Sequence, residues 1–337
     1  MELVYDGKEN KEGIYSLWQT VFQDSEAFAA YYFQWVYSKN QVIVAKEGTE
    51  IRSMLHLNPY RWQWNDGGDK ETVLDLHYIV GVATALDFRR QGFMADCMIK
   101  ALQDMERNGE PFTYLMPANK AYYEPFQFVA LKAEKRWRPQ EHPELVWNYQ
   151  MYPVRSAGYK SRLKAEMQCE NGDIIEWNGG YCAYVIDRRE AEKVAILEQI
   201  FLYDANKDSN IEPLLWKEVY PELYRRYGRI PIEIMESQVM MIRVLNLQRF
   251  VELLPYEKET QQLVVHVTDS ICTGNSGIYR LILSPKGCKM ERLNKQEPLQ
   301  QTESDFISEY HWTIAELTAY LLVETKLAEK MYLMEIV

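Results

Sequence analysis

Residues 80–95 read VGVATALDFRRQGFMA, and the period of the chain changes inside them. Up to Thr84 the pattern is that of a strand. From Gly92 onward Met94, Cys97, Met98, Ala101, Leu102 and Met105 recur at helical spacing. A strand therefore runs out into an irregular segment, and Arg89-Arg90-Gln91-Gly92 leads straight into a helix. Such a helix start presents unpaired backbone N–H groups and partial positive charge, which suits a pyrophosphate. Gly92 lets the backbone approach a phosphate closely, and Arg89 and Arg90 add charge. Taken alone, Arg-x-x-Gly also describes a solvated loop ahead of a core helix, and only the surrounding elements separate the two.

Upstream, Ile14, Leu17, Trp18 and Phe22 form a helical stripe within Lys11 to Phe22, and Ser25 is placed to cap a second helix through Phe28, Tyr32 and Trp35. Three strand-like runs follow, Gln41–Lys46, Ile51–Trp64 and Val73–Leu86, close enough in sequence to form an antiparallel meander. Downstream, Asn108-Gly109 ends the motif helix, Phe112–Pro117 is a strand, and Lys120–Phe126 suits a short helix. The sum is a mixed α/β (α+β) domain of two helices, three strands, a helix, a strand and a short helix.

This order, with Arg89 and Gly92 at the strand-to-helix junction, resembles motif A of the GNAT acetyltransferases, Gln/Arg-x-x-Gly-x-Gly/Ala. Met94 stands where that family has Gly or Ala. More narrowly, the chain resembles the enhanced-intracellular-survival (Eis) subfamily. The resemblance rests on Val82–Ala95, on Ala118–Phe128, and on Met240–Leu254 with Leu263–Leu283, including RVLNLQRFVELL, LVVHVTD and the run Asn275 to Leu281. It implies three domains: a GNAT domain over 1–135, a degenerate GNAT-like domain over 136–235 and a sterol-carrier-protein-like domain over 236–337. It also implies acetyl-CoA as cosubstrate, with no metal, and N-acetyltransferase activity on a primary amine. Lysine side chains of proteins or peptides are the alternative acceptors, and a non-catalytic module for an apolar ligand is the alternative class.

By register, the resemblance gives Val82, Ala83 and Thr84 to the pantetheine arm and Arg90, Gln91, Gly92, Phe93, Met94 and Ala95 to the pyrophosphate, with Ala118 and Asn119 beside the thioester. Tyr123 falls on the family's catalytic tyrosine, and its phenol would protonate the departing thiolate. Among 24 tyrosines only that register separates Tyr123 from a packing aromatic, and Glu124-Pro125 departs from the family pattern. The base would be the terminal carboxylate of Val337, with Glu124, Asp75 and His77 as rivals. The family also implies a homo-oligomer, a hexamer.

Between these blocks the chain is less regular. Trp137-Arg138-Pro139 and His142-Pro143 suggest a linker, Asp173–Trp177, Tyr181–Ile186 and Val194–Leu202 suggest strands, and Asn210 suggests a cap for a helix through Leu215, Val219 and Tyr224. Ile230–Ile234 and Met240–Leu245 read as further strands. Thr313 and Glu316 form a capping-box pattern.

Composition bounds the function. The 337 residues are 47% apolar and 26% charged, with net charge −11, the profile of a globular protein of two or three domains. That charge repels nucleic acid and anionic membrane and favours cationic partners. No apolar run approaches the ~18 residues of a membrane span. The acidic N-terminus is no secretory signal. Cys97, Cys169, Cys182, Cys272 and Cys288 are scattered without a CxxC pair, so neither a disulfide framework nor a zinc site is expected, and a reducing cytoplasm fits.

Overall fold

The computed structural model describes residues 1–65, 71–131, 138–139, 150–155, 158–177, 180–188, 192–201, 215–234, 239–293 and 308–333. The N-terminal part begins with β1 (Glu2–Asp6), a strand the sequence reading passed over, then α1 (Lys11–Phe22) and α2 (Glu26–Trp35). The helical stripe of α1 is buried through Ile14, Leu17 and Trp18. Ser25 caps α2 as expected, its Oγ accepting the Phe28 N–H at 3.1 Å. β2 (Gln41–Glu47), β3 (Glu50–Asn65) and β4 (Glu71–Thr84) form the antiparallel meander. The expected strand end at Leu86 comes at Thr84, and Leu86–Phe88 is a 3-10 turn. α3 (Phe93–Arg107) buries Cys97, Met98, Ala101, Leu102 and Met105 against the sheet. β5 (Phe112–Leu115) and β6 (Val129–Ala130) follow. The short helix expected over Lys120–Phe126 is two 3-10 turns, Lys120–Tyr122 and Glu124–Phe126. Pro125 has no N–H to donate and disfavours helical φ/ψ at Glu124, which stops an α-helix from forming.

In the middle of the chain Arg138–Pro139, expected as linker, is a two-residue strand, β7, in parallel register with Ile200 and Phe201. Trp137, His142, Pro143 and Asn210 lie outside the described residues. β8 (Met151–Pro153) joins the N-terminal sheet through the far end of β3. α4 (Tyr159–Cys169) escaped the sequence reading because few of its apolar residues mark a face; Leu163 and Met167 are buried. β9 (Asp173–Trp177), β10 (Gly180–Asp187), β11 (Lys193–Phe201) and β12 (Ile232–Ile234) form a second sheet in the order β12-β11-β10-β9. A π-helical turn over Leu215–Val219 and α5 (Tyr220–Tyr227) cover it, with Val219 and Leu223 in its core.

The last third opens with β13 (Met241–Val244) and α6 (Leu247–Glu252). β14 (Gln261–Thr268), β15 (Gly277–Leu283), β16 (Lys289–Arg292) and β17 (Ser308–Thr313) make a third sheet in the order β16-β15-β14-β17. α7 (Ile314–Thr325) packs on it, and α8 (Leu327–Lys330) precedes the tail. The capping box forms: Thr313 Oγ1 accepts the Glu316 N–H at 3.2 Å and Glu316 Oε2 accepts the Thr313 N–H at 2.7 Å. All five cysteines are free thiols. No described helix is long and apolar enough to cross a membrane.

β13 does not join the third sheet. It lies between β5 and β6, antiparallel to both, so the strand order of the first sheet is β1-β2-β3-β4-β5-β13-β6. All four residues of β13 are buried, Arg243 included. The Arg243 guanidinium donates to the Phe126 carbonyl at 2.8 Å, to Asp269 Oδ1 at 2.7 Å, and to the Val244 carbonyl. Asp269 in turn accepts the N–H groups of Ile271 and Cys272, both at 3.0 Å, and Asn275 Nδ2 at 2.9 Å. A buried pair saturated in this way survives its own desolvation cost, whereas breaking it strands a charge. Arg243→Leu should destabilise the protein by ~3–5 kcal/mol in urea unfolding, and Asp269→Asn added to it should recover part of the loss by removing the orphaned carboxylate.

Candidate functional site

β4 and β5 run parallel but pair only at Tyr78 with Tyr114 and Ile79 with Leu115. β4 then continues to Thr84, held on its other edge by β3 through His56, Met54 and Ser53. Beyond Ile79 the β5-facing edge of β4 has no described strand partner, and the two strands part into a cleft. A bulge at this point, where the register shifts between Met54 and His56, re-aims the β4 backbone. Gly81 sits in it with φ +60, and a Cβ there would lie 2.7 Å from Trp18 Cζ3, so both conformation and space demand glycine. Val82 and Thr84 are half-buried and Ala83 is buried. Ser53 Oγ fixes this edge from behind, 2.9 Å from the Ala83 carbonyl and 2.9 Å from Thr84 Oγ1.

The chain leaves β4 through the Leu86–Phe88 turn. Arg52 stacks its guanidinium on Phe88 at 3.8 Å, and Gln91 Nε2 donates to the Asp87 carbonyl at 2.8 Å. Arg90 (φ 62) and Gly92 (φ 94) both take left-handed conformations, turning the loop sharply into α3. The first intrahelical bond is Asp96 N–H to the Gly92 carbonyl at 3.0 Å, and no side chain caps this end. The amides of Phe93, Met94 and Ala95 therefore start the helix without helical partners. A Cβ on Gly92 would meet nothing within 4 Å, and Arg89, Arg90, Gln91 and Gly92 are exposed. The fold thus brings Val82, Ala83 and Thr84 and the run Arg89 to Ala95 to one end of the cleft.

Beyond the end of β5, Ala118 and Asn119 are both exposed, and the Asn119 side chain caps its own turn by accepting the Ala121 N–H at 3.0 Å. Of the adjacent tyrosines, Tyr122 is 58% exposed and Tyr123 only 7%. Tyr123 packs edge-on to Phe128 at 6.0 Å between ring centres, and its hydroxyl makes no hydrogen bond among the described residues. Burial pushes its phenol up to about 12, with Tyr122 adding to the rise. The Phe126 carbonyl held by Arg243 closes the turn after Tyr123, so the buried pair with Asp269 fixes the segment that carries this tyrosine.

Sequence reading missed an aromatic wall on the α1/α2 side of the sheet. Tyr78 and Tyr114 lie 5.1 Å apart, Trp62 and Tyr114 5.2 Å, and Tyr60 stands 6.4 Å from Tyr78. Trp62 Nε1 donates to Tyr114 OH at 3.3 Å. Alternation within β3 and β4 was legible, but the juxtaposition of strands so far apart in sequence was not. Beside this wall Asn40 Nδ2 donates to Tyr32 OH at 3.0 Å, and Tyr32 OH lies 2.8 Å from His56 Nδ1. The Tyr32 hydroxyl thus links the Asn40 amide to the His56 ring. Tyr31 OH donates to the buried carboxylate of Glu166 at 2.7 Å.

The candidate bases are dispersed. The Asp75 carboxylate is 88% exposed, 3.8 Å from Arg61. His77 alternates with Tyr78 and so faces away from the aromatic wall; Glu110 accepts both its Nδ1 contact at 2.8 Å and its backbone N–H at 3.0 Å. Glu124 is exposed. Val337 lies outside the described residues.

Residues 7–130 match the acetyltransferase (GNAT) domain family, and residues 247–333 the sterol carrier protein domain family. The chain thus carries a GNAT acetyltransferase domain and, after it, a sterol-carrier-protein domain. No curated protein matches the sequence. Among solved structures it is similar to a probable N-acyltransferase from Enterococcus faecalis, 15% identical over 94% of this chain and 88% of that one, with TM-score 0.66. A GCN5-related N-acetyltransferase from Anabaena variabilis is 14% identical over 98% and 96%, TM-score 0.64. Eis1 from Mycobacterium abscessus is 11% identical over 96% and 90%, TM-score 0.63. The Eis-like architecture thus extends over nearly the whole chain.

His56 offers a test of how dry the sheet is behind the cleft. It is fully buried, and burial holds its imidazole down to about 3, with Lys8 adding to the depression. The unfolded chain binds that proton near pH ~6.5. The neutral histidine's contribution to stability is therefore complete above pH ~6.5 and lost as pH falls toward 3. Wild type should lose stability over this range more steeply than His56→Gln, by up to ~1.4 kcal/mol per pH unit. Denaturation midpoints that fall in parallel for the two proteins would show that His56 titrates normally.

Proposed function

We propose that the protein transfers an acetyl group from acetyl-CoA to a primary amine of a small cationic molecule. The observation that carries this reading is the junction at Arg89–Ala95, where an uncapped helix start, two arginines and a left-handed glycine face the parted edge of β4. Val82, Ala83 and Thr84 would pair with the pantetheine amides, and the Arg90 to Ala95 backbone with Arg89 would hold the pyrophosphate. The tyrosine wall, together with net charge −11, supports a cationic acceptor, since phenol faces attract ammonium groups. The domain divisions follow the resemblance at 1–135, 136–235 and 236–337, with β13 reaching back from the last into the first.

In the transfer the amine nitrogen bonds to the thioester carbon, the C–S bond breaks, and the sulfur leaves with its electron pair. Tyr123, at about 12, stays protonated at neutral pH and is a permanent donor. Outright proton transfer to a thiolate of pKa near ~8.5 runs uphill by more than three units, so Tyr123 acts by hydrogen-bonding the departing sulfur. The ammonium proton must go to a base. The described tail supports Val337: Met331 pairs in parallel with Met151, whose strand is antiparallel to β3. The chain end therefore runs from the level of Trp64 toward Trp62, the direction in which β4 climbs from Leu74 to Tyr78.

Two variants should split cleanly in a thiol-release assay run with a panel of small amines. Gly92→Glu should weaken acetyl-CoA binding strongly, and more than Gly92→Ala, which imposes the same backbone strain without the charge. Tyr123→Phe should lower kcat roughly 10²-fold or more with acetyl-CoA affinity little changed. Unchanged acetyl-CoA affinity in Gly92→Glu would remove the cradle, and near-normal turnover in Tyr123→Phe would leave that residue a packing aromatic.

The base is tested separately. Amidating Val337 removes only its charge, so it should depress kcat/KM and abolish an activity rise with pH while leaving acetyl-CoA binding intact. Full turnover in a chain extended at its C-terminus would exclude Val337 and return the search to His77, Asp75 and Glu124.

A further inference from the structure

The third sheet carries a side-chain cluster that the proposed acetyl transfer does not use. β14 and β17 are parallel neighbours, and their register sets His266 directly opposite His311. Glu309 lies two residues before His311, on the same face of β17, and reaches diagonally across to His266. Its Oε1 is 2.5 Å from His266 Nε2, and the two imidazole rings are 4.2 Å apart at 33°. One ligating atom from each of the three residues lies within 4.8 Å of the others. His266 and Glu309 have each other, but the exposed side chain of His311 makes no hydrogen bond among the described residues.

We propose that His266, Glu309 and His311 form a binding site for a divalent transition ion, zinc being the natural occupant. A tetrahedral ion with bonds of ~2.1 Å needs donors ~3.4 Å apart, which small side-chain rotations reach from this arrangement. Two imidazoles and one carboxylate select zinc, cobalt, nickel or copper over calcium and magnesium, which prefer all-oxygen shells. The set fills three positions and leaves the fourth to water. Arg280, opposite Val264 and so on the same face as His266, is paired with Glu291 at 3.3 Å.

The site's placement gives it a structural consequence. β17 is the edge strand of its sheet and leads straight into the capping box of α7. An ion bound by one residue of β14 and two of β17 would pin that edge strand and, through Thr313, the start of the helix that covers the sheet. Binding to the folded state alone raises stability by mass action.

The test uses the full chain without a polyhistidine tag, stripped with chelator and titrated with zinc chloride by calorimetry. Wild type should bind one ion per chain with micromolar or tighter affinity and melt at a higher temperature with zinc than without. His311→Asn and Glu309→Gln, both at exposed positions, should each weaken zinc binding by about tenfold or more with the circular dichroism spectrum unchanged. The double variant His266→Asn/His311→Asn should show no zinc-dependent rise in melting temperature. Cobalt should give wild type the visible bands of a four-coordinate nitrogen and oxygen site. Equal zinc uptake by wild type and the double variant would overturn the proposal, as would thiolate charge-transfer bands in the cobalt protein, which would assign the metal to cysteine.

Discussion

The ion pair between Arg243 and Asp269 is the constraint on which the candidate site depends. Arg243 comes from a strand in the N-terminal sheet, Asp269 from the loop after β14 in the C-terminal domain, and the Phe126 carbonyl from the turn that carries Tyr123. Both charged groups are wholly buried. In that dry setting each lone pair and each N–H must be matched, and the match is spread over three segments distant in sequence. Asn275 completes it, donating to Asp269 and to the Leu245 carbonyl while accepting the Leu247 N–H at 2.8 Å. The C-terminal part of the chain is therefore structurally tied into the N-terminal sheet: through β13 and this network it sets the position of the turn at Phe126.

Opposite that loop, the cleft is made by a parallel pair that fails to stay paired. β4 is anchored on one edge by β3 for its whole length, while β5 accompanies it over two residues only. The bulge at Gly81 supplies the bend, and Val82 to Thr84 have no described strand partner on their β5-facing edge. The helix start at Gly92 then sits at the end of that opening with its amides unpaired. Hydrogen-bonding capacity left over by the fold is thus concentrated along one line, from strand edge to helix terminus, which is the arrangement an extended amide-containing thioester with a pyrophosphate would use.

How much of this was legible follows from range. The α3 stripe, the Ser25 cap, the meander and the capping box at Thr313 are local patterns, and each formed where the side-chain period and cap chemistry place it. Elements whose stabilisation comes from afar were misread or missed: β1, whose partner β2 starts some 35 residues on; the two-residue β7; and α4, which has a weak apolar face. The helix expected over Lys120–Phe126 yielded to a local rule, the missing amide of Pro125. Met241–Val244 was legible within the expected strand Met240–Leu245, but its sheet was not, because three apolar residues and one arginine carry no record of which edge they complete.

The sequence by itself determined the α3 stripe, the strand meander, the caps at Ser25 and Thr313 and the strand-to-helix junction at Arg89–Gly92, since these rest on periodicity, cap chemistry and local spacing, whereas the register on Tyr123 rests on the family resemblance. Only the tertiary structure decided that Arg243 is a buried cation, that Trp62, Tyr78 and Tyr114 share one wall, that His77 turns away from it, and that His266 meets His311 across 45 residues of chain. Each of those facts depends on strand pairing between distant segments. Pairing is chosen by the total apolar burial and hydrogen-bond satisfaction of the whole sheet, a quantity that no short stretch of sequence contains.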